Sequence, residues 1–358
     1  MAGSPYASAL GRLEPDFTTF LPKAMYSTFL AAKDAADLAK LLETSPYAED
    51  IVWARTTHPG PSMLEMAINR TFVRRNRHAY EATPFAGRRV IAAYLGRWDI
   101  QNIELILSSK AFGRPVTETE EHLVSSREIP AGLYGGVMTL DDFRALLAQT
   151  TLEATVGALV PFGYGATVLP LLEEYERTYN IFPILAALDR QYYLDVNAAA
   201  RFFQGDEWVV RSFLASEIDV RNLLLLLRGK ALGIPLHDLL PRWIAGGSIA
   251  EGAVADPFTA RGVPELAERL TGRSPSVTDG TEEFHESGSL TGYQTALQRD
   301  RLAREWKRLR TYPLSLAVIF AYLLRSEVER GDLMRLAFGK LYELETARLE
   351  KLLVASAL

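Results

Sequence analysis

Residues 218–235 read IDVRNLLLLLRGKALGIP and residues 98–115 read WDIQNIELILSSKAFGRP, the same pattern written twice at an interval of 120 residues. A looser third copy, VERGDLMRLAFGKLYE, fills residues 328–343, a further 110 residues on. Aligned, the copies place an acid at Asp99, Asp219 and Glu329, a short polar residue at Asn102, Asn222 and Asp332, and a lysine at Lys110, Lys230 and Lys340. Between them, Ile103, Leu223 and Leu333, then Ile106, Leu226 and Leu336, then Leu107, Leu227 and Ala337 recur at i, i+3 and i+4, which is one apolar helical face. LLLLL at 223–227 is wider than one stripe, so that helix is expected to be buried on more than one side.

The ends of each copy are also legible. The acid is read at a helix start, among N–H groups without partners, and the lysine in the last turn beside the negative pole. Gly113 before Pro115, and Gly233 before Pro235, supply a left-handed stop. Glu343 stands where the third glycine belongs, so the third helix is expected to run on. A second helix lies upstream in VIAAYLG (90–96), VVRSFLA (209–215) and FAYLLR (320–325), and a third in AINR (67–70), ALDR (187–190) and ALQR (296–299). Short amphipathic helices LAKLLETSPY (38–47), FRALLAQTTL (143–152) and LAERLTGRSP (266–275) form a fourth set. On that matching the middle copy carries a surplus of about fifteen residues, assigned to a loop insertion in the Gly/Pro-rich stretch 157–170.

Alternation with period two is scarce. The chain is therefore read as all-α, in three quasi-equivalent multi-helix units, 1–120, 121–240 and 241–358. Loops are expected around 116–140 and 240–290, the second being the more loop-like by composition.

Composition excludes several kinds of chemistry. Across 358 residues, 48% are apolar and 23% charged, the balance of a globular protein. The net charge of −5, with both signs mixed, gives no cationic footprint for nucleic acid. No cysteine is present, so disulfides, thiolate nucleophiles and cysteine-held metals are absent. The start, MAGSPYASALGRLEPDF, shows no secretory signal pattern. The uncharged window Ala154–Leu172 spans 19 residues but contains Gly157, Pro161, Gly163, Gly165 and Pro170, and is read as a loop between helices and not as a membrane span.

No nucleotide loop exists, because Gly229-Lys230 and Gly339-Lys340 are followed by Ala and Leu inside helical patterns. His58, His78, His122, His237 and His285 are scattered, with no i, i+4 pair to hold zinc, and no GxSxG elbow occurs. No catalytic, cofactor or metal residue is therefore assigned. The acid and Asn pairs, written three times with the same neighbours, are read as structural, and the aromatics of RQYYLDVNAAARFFQ (190–204) as core.

Taken together, YASALGRLEPDFTTFLPKAMY (6–26), LLETSPY (41–47), ALDRQYY (187–193), the Asp-x-x-Asn helices ending in Lys-Ala-x-Gly, and YPLSLAVIFAYLLRSEVERGDLMRLAFGKL (312–341) carry a resemblance that covers nearly the whole chain. The chain resembles the C subunit of A-type and V-type ATPases, related to the d subunit of the eukaryotic V-ATPases. That resemblance implies a non-catalytic, funnel-shaped, pseudo-threefold helical body, peripheral on the cytoplasmic side of the membrane. It also implies two partners, the central axle and the membrane rotor ring, with torque passing between them and no cofactor. The alternatives are a helical-repeat scaffold for other partners and a helical enzyme holding a metal at its repeated acids.

Overall fold

The computed structural model describes residues 4–58, 60–123, 138–201, 207–272 and 275–355. Among the described residues every regular element is a helix or a short 3-10 turn. The helices are α1 (Ala7–Leu13), α2 (Lys23–Ala31), α3 (Ala35–Leu42), α4 (Ala48–Thr57), α5 (Met63–Ala82), α6 (Phe85–Leu95), α7 (Arg97–Ala111), α8 (Val116–Glu121), α9 (Leu140–Leu147), α10 (Leu152–Ala158), α11 (Gly165–Val168), α12 (Leu172–Thr178) and α13 (Phe182–Ala200). They continue as α14 (Glu207–Ala231), α15 (Leu236–Leu239), α16 (Ala255–Phe258), α17 (Val263–Thr271), α18 (Pro275–Ser287), α19 (Thr291–Arg310), α20 (Ala317–Leu341) and α21 (Thr346–Leu352). None is long and apolar enough to cross a membrane.

Contacts divide the chain into two compact units, one of residues 1–10, 14–41 and 203–358, the other of residues 11–13 and 42–202. In the second, α13 packs on α6 and α7. Leu188 and Tyr192 of α13, Val90, Ile91 and Tyr94 of α6, and Ile103, Ile106 and Leu107 of α7 are all buried. Arg97 donates to the hydroxyls of Tyr94 at 3.0 Å and Tyr192 at 3.2 Å, which satisfies polar atoms at the edge of that core.

In the first unit α19 packs on both α14 and α20. Phe213 of α14 and Phe320 of α20 meet with ring centroids 5.3 Å apart. Of the five leucines 223–227, four are buried and Leu225 is partly buried, all packed with Val263, Leu266, Ala267 and Val277. The helix is indeed covered on more than one side. Those last four residues also explain why 240–290 is mainly helical and not a loop. α17 and α18 supply the apolar faces that cover α14, and polar loop composition yields to that burial. Residues 116–121 are likewise helical, and 124–137 lie outside the described residues. The stretch 157–170 holds short helices and 3-10 turns, with Tyr164 and Val168 buried.

Two expectations about helix ends need correction. In the second and third copies the upstream helix and the repeat helix are one, so α14 and α20 each run 25 residues and place Asp219 and Glu329 mid-helix, not at a start. Only the first copy is broken, at Gly96, which leaves Asp99 in the first turn of α7. The counterparts of Gly96 are Ser216 and Ser326. Glycine costs about 1 kcal/mol in a helix interior, more than serine, and so favours a break there.

The third helix does not run on. α20 ends at Leu341, and Glu343 takes φ 54°, beside 64° at Gly113 and 68° at Gly233. Leu344 N–H reaches back to Gly339 O at 2.8 Å, as Ile234 reaches Gly229 O at 2.8 Å and Arg114 reaches Ser109 O at 2.9 Å. This is the same six-residue closing bond three times, and it outweighs the strain of a side chain in the left-handed region. Glu343→Gly is expected to stabilise the chain by about 0.5–1 kcal/mol, raising the thermal midpoint by roughly 1–2 °C, whereas Gly233→Glu lowers it. Calorimetry of both variants checks this, and a lowered midpoint for Glu343→Gly would contradict the assignment.

Candidate functional site

Of the nine repeat residues, Lys110, Lys230, Lys340, Asp219, Glu329, Asn222 and Asp332 bond to chain segments outside their own helices. Lys110 Nζ, in the last turn of α7, donates to Leu147 O and, at 2.5 Å, to Gln149 O. Lys230 Nζ donates to Phe258 O at 3.0 Å and stands 4.9 Å over that residue's ring. Lys340 Nζ, buried, donates to Leu30 O at 2.7 Å. Leu147, Phe258 and Leu30 sit at the C-terminal ends of α9, α16 and α2, where helix carbonyls lack intrahelical partners and the dipole favours a cation. Burial holds the Lys110 ammonium below its ordinary pKa.

These lysines also correct the helix matching. They equate α9 with α2 and α16, and hence α10 with α3 and α17. Pairing FRALLAQTTL with LAKLLETSPY was therefore one helix out of step. On the corrected register the buried Tyr47 and Tyr164 stand 52 and 55 residues before Asp99 and Asp219, so 157–170 is no large insertion. The extra length lies ahead of α9, since Lys110 reaches across 37 residues where Lys230 reaches across 28.

The acids hold the other end of the same segments. Glu329 Oε2 accepts Leu21 N–H at 2.6 Å, and Arg325 donates to Leu21 O at 2.7 Å, just ahead of α2. Asp219 Oδ1 accepts Ile249 N–H at 3.1 Å, ahead of α16, while Oδ2 accepts the Ser248 hydroxyl. Asp99 is fully buried within α7. A carboxylate inside a helix has no helix-start N–H to cap, and in two copies it caps a neighbouring segment instead.

In the second and third copies the middle position secures the segment C-terminal to the helix. Asn222 accepts Ile244 N–H at 3.0 Å and donates to Ile244 O at 2.8 Å, a backbone-like pair. Asp332 has no amide donor to offer, and its oxygens accept Val354 N–H at 2.9 Å and Ala355 N–H at 2.6 Å. Its buried charge is met by Arg335 at 2.6 Å. The residue equivalent to Arg335 is Leu225 in the second copy and Leu105 in the first, beside Asn222 and Asn102. Arginine accompanies the acid and leucine accompanies the amide. Asn102 is fully buried.

Sequence reading missed Arg335, Arg325 and Arg299. Arg299 donates to Leu353 O at 2.9 Å and 2.7 Å and to Lys351 O at 3.0 Å, securing the end of α21. Its signal was available as the shared arginine of AINR, ALDR and ALQR. A further regularity also went unread. Phe112, Leu232 and Tyr342 occupy the same position in the three copies, two residues after the lysine, and are 69%, 75% and 71% exposed. Large apolar side chains left in water at each helix tip serve no core.

No chemistry gathers at these residues. Among the described residues no three His, Cys, Asp or Glu side chains are grouped so as to hold a metal ion. His122 Nδ1 lies 3.0 Å from the buried Glu65, and His237 lies 3.4 Å from Asp238 in an exposed pair.

The family model for the ATP synthase (C/AC39) subunit matches residues 17–352. The C subunit of the A-type ATP synthase of Thermoplasma acidophilum is 32% identical over 98% of this chain and 98% of its own length. That of Thermoplasma volcanium is 32% identical over 94% of each chain. That of Methanocaldococcus jannaschii is 24% identical over 98% of this chain and 87% of its own.

The anchors make a pH prediction. Burial raises the Asp332 carboxyl above its ordinary 3.8, against the pull of Arg335 and the two N–H groups. A carboxyl whose folded pKa exceeds its unfolded one keeps its proton longer in the native chain, so its contribution to stability falls as pH rises above the unfolded value. Asp332→Asn removes this dependence. Its stability relative to the natural chain should rise between about pH 4 and about pH 7 in urea titrations, and a gap that closes over that range would contradict the reading.

Proposed function

We propose that this chain, which belongs to the ATP synthase (C/AC39) subunit family, is a non-catalytic central-stalk subunit of an A-type rotary ATPase, joining the central axle to the membrane rotor ring. In this role it passes torque between the head that makes or hydrolyses ATP and the ring through which ions cross. It sits on the cytoplasmic side and meets the membrane only through the ring. Its three quasi-equivalent units, 1–120, 121–240 and 241–358, would form a pseudo-threefold body, with the N-terminal segment held by α20 completing the third.

The observation that supports this reading best is the exposed tip. Three helices share an anchored interior, yet each ends in a different large apolar side chain, Phe112, Leu232 or Tyr342, presented to solvent. A link between partners of unlike rotational symmetry needs that division, with one rigid framework repeated and its contact residues diversified. The framework is suited to load, because 25-residue helices bonded to neighbouring segments at mid-length and in the last turn have few loose joints.

Purified chain mixed with the axle and ring subunits should co-purify with both. Phe112→Asp, Leu232→Asp and Tyr342→Asp should each leave stability within about 0.5 kcal/mol of the natural chain. At least one of them should weaken axle or ring association by roughly tenfold or more. A folded chain that binds neither partner would end the proposal.

A further inference from the structure

In the unit containing residues 14–41 and 203–358, a cleft of about 450 Å³ opens between residues 17–26 and the helices α19 and α20. Its apolar wall is Phe17, Phe20, Tyr26 and Trp306, and its cations are Lys23, Arg310 and Arg325. Among the described residues no carboxylate lines it. Glu14 lies outside the lining and grips Arg310 through two bonds of 2.7 Å, which spends that charge and parks the guanidinium 4.6 Å over Phe17. Arg325 lies 5.7 Å from the Phe20 ring and gives one N–H to the Leu21 carbonyl, a neutral acceptor. Glu329, one turn along, is fully buried with Oε2 on Leu21 N–H, facing away from solvent. Lys23 is exposed at the mouth.

The walls are stiff. Phe17 meets Trp306 and Tyr322 edge-on at 5.9 Å and 5.6 Å, and Phe20 meets Tyr322 at 5.2 Å. A preformed aromatic cleft of this volume with cations at its rim loses little order on filling. Aromatic and arginine side chains are also those that dominate protein interfaces.

We infer that this cleft is a docking site for a partner polypeptide of the ATPase, taking an apolar side chain that is flanked in sequence by an aspartate or glutamate. The apolar group fills the space between Phe17, Tyr26 and Trp306, and the carboxylate meets Arg325. The inference rests on the chain being an ATPase subunit but not on which subunits it joins.

Benzoylphenylalanine placed at Thr18, an exposed residue of the cleft wall, and irradiated in the assembled complex tests this. The expected result is an adduct to another subunit at a segment with an acid beside an apolar residue. Arg325→Gln should cut the yield by roughly tenfold, with Arg325→Lys restoring part of it. Absence of any adduct, an adduct within the chain itself, or one to a segment without an acid would overturn it. If that adduct forms in a complex where axle and ring make no contact with the chain, the docking site stands and the central-stalk reading fails. A chain found on axle and ring with no adduct at Thr18 upholds the central-stalk reading and rules out the docking site.

Discussion

Each long repeat helix grips a distant piece of backbone by opposite charges at two points. A carboxylate in the helix accepts a hydrogen bond from an N–H ahead of a short helix, and a lysine in the last turn donates one to a carbonyl at that short helix's end. Backbone groups buried without partners are costly, so a segment pressed against a helix needs its loose ends bonded. Glu329 and Lys340 do this for residues 21 and 30, and Asp219 and Lys230 do it for residues 249 and 258. The third helix therefore takes its segment from the chain's beginning, across some three hundred positions of sequence.

The copies keep the function of each position and exchange its chemistry. An amide that both donates and accepts at Asn222 becomes a carboxylate at Asp332, which only accepts, and an arginine arrives beside it. Gly229 and Gly339 pack so closely on Leu239 and Leu349 that a Cβ at either glycine would collide with the leucine. The first copy holds Ser109 and Thr119 at these places, a larger residue facing a smaller one. Volume and charge are conserved across the pair and not at the single residue, as a close-packed interior requires.

Helix content, the apolar faces and the lysine positions could be read from sequence because they depend on local periodicity. The placing of Asp219 and Glu329 could not, because it depended on whether serine or glycine occupied the joint between two helical patterns. The stop at Glu343 was missed for a related reason. Glutamate is a poor left-handed residue, and only the closing bond to Gly339 and the turn of the following chain force it there. The helical character of α18 was hidden by polar composition, since it comes from burial of Val277 against leucines some fifty residues earlier. The exposed tips were visible as letters, yet nothing in a sequence separates a core phenylalanine from one left in water.

Hydrogen exchange at residues 21–31 tests the two-point grip most directly. In the double variant Glu329→Gln, Lys340→Met, amides of this segment should exchange at least about tenfold faster than in the natural chain, a loss of roughly 1.4 kcal/mol of local protection, while those of α13 are unchanged. Unchanged protection of residues 21–31 would contradict the account, because the segment would then be held by apolar packing alone.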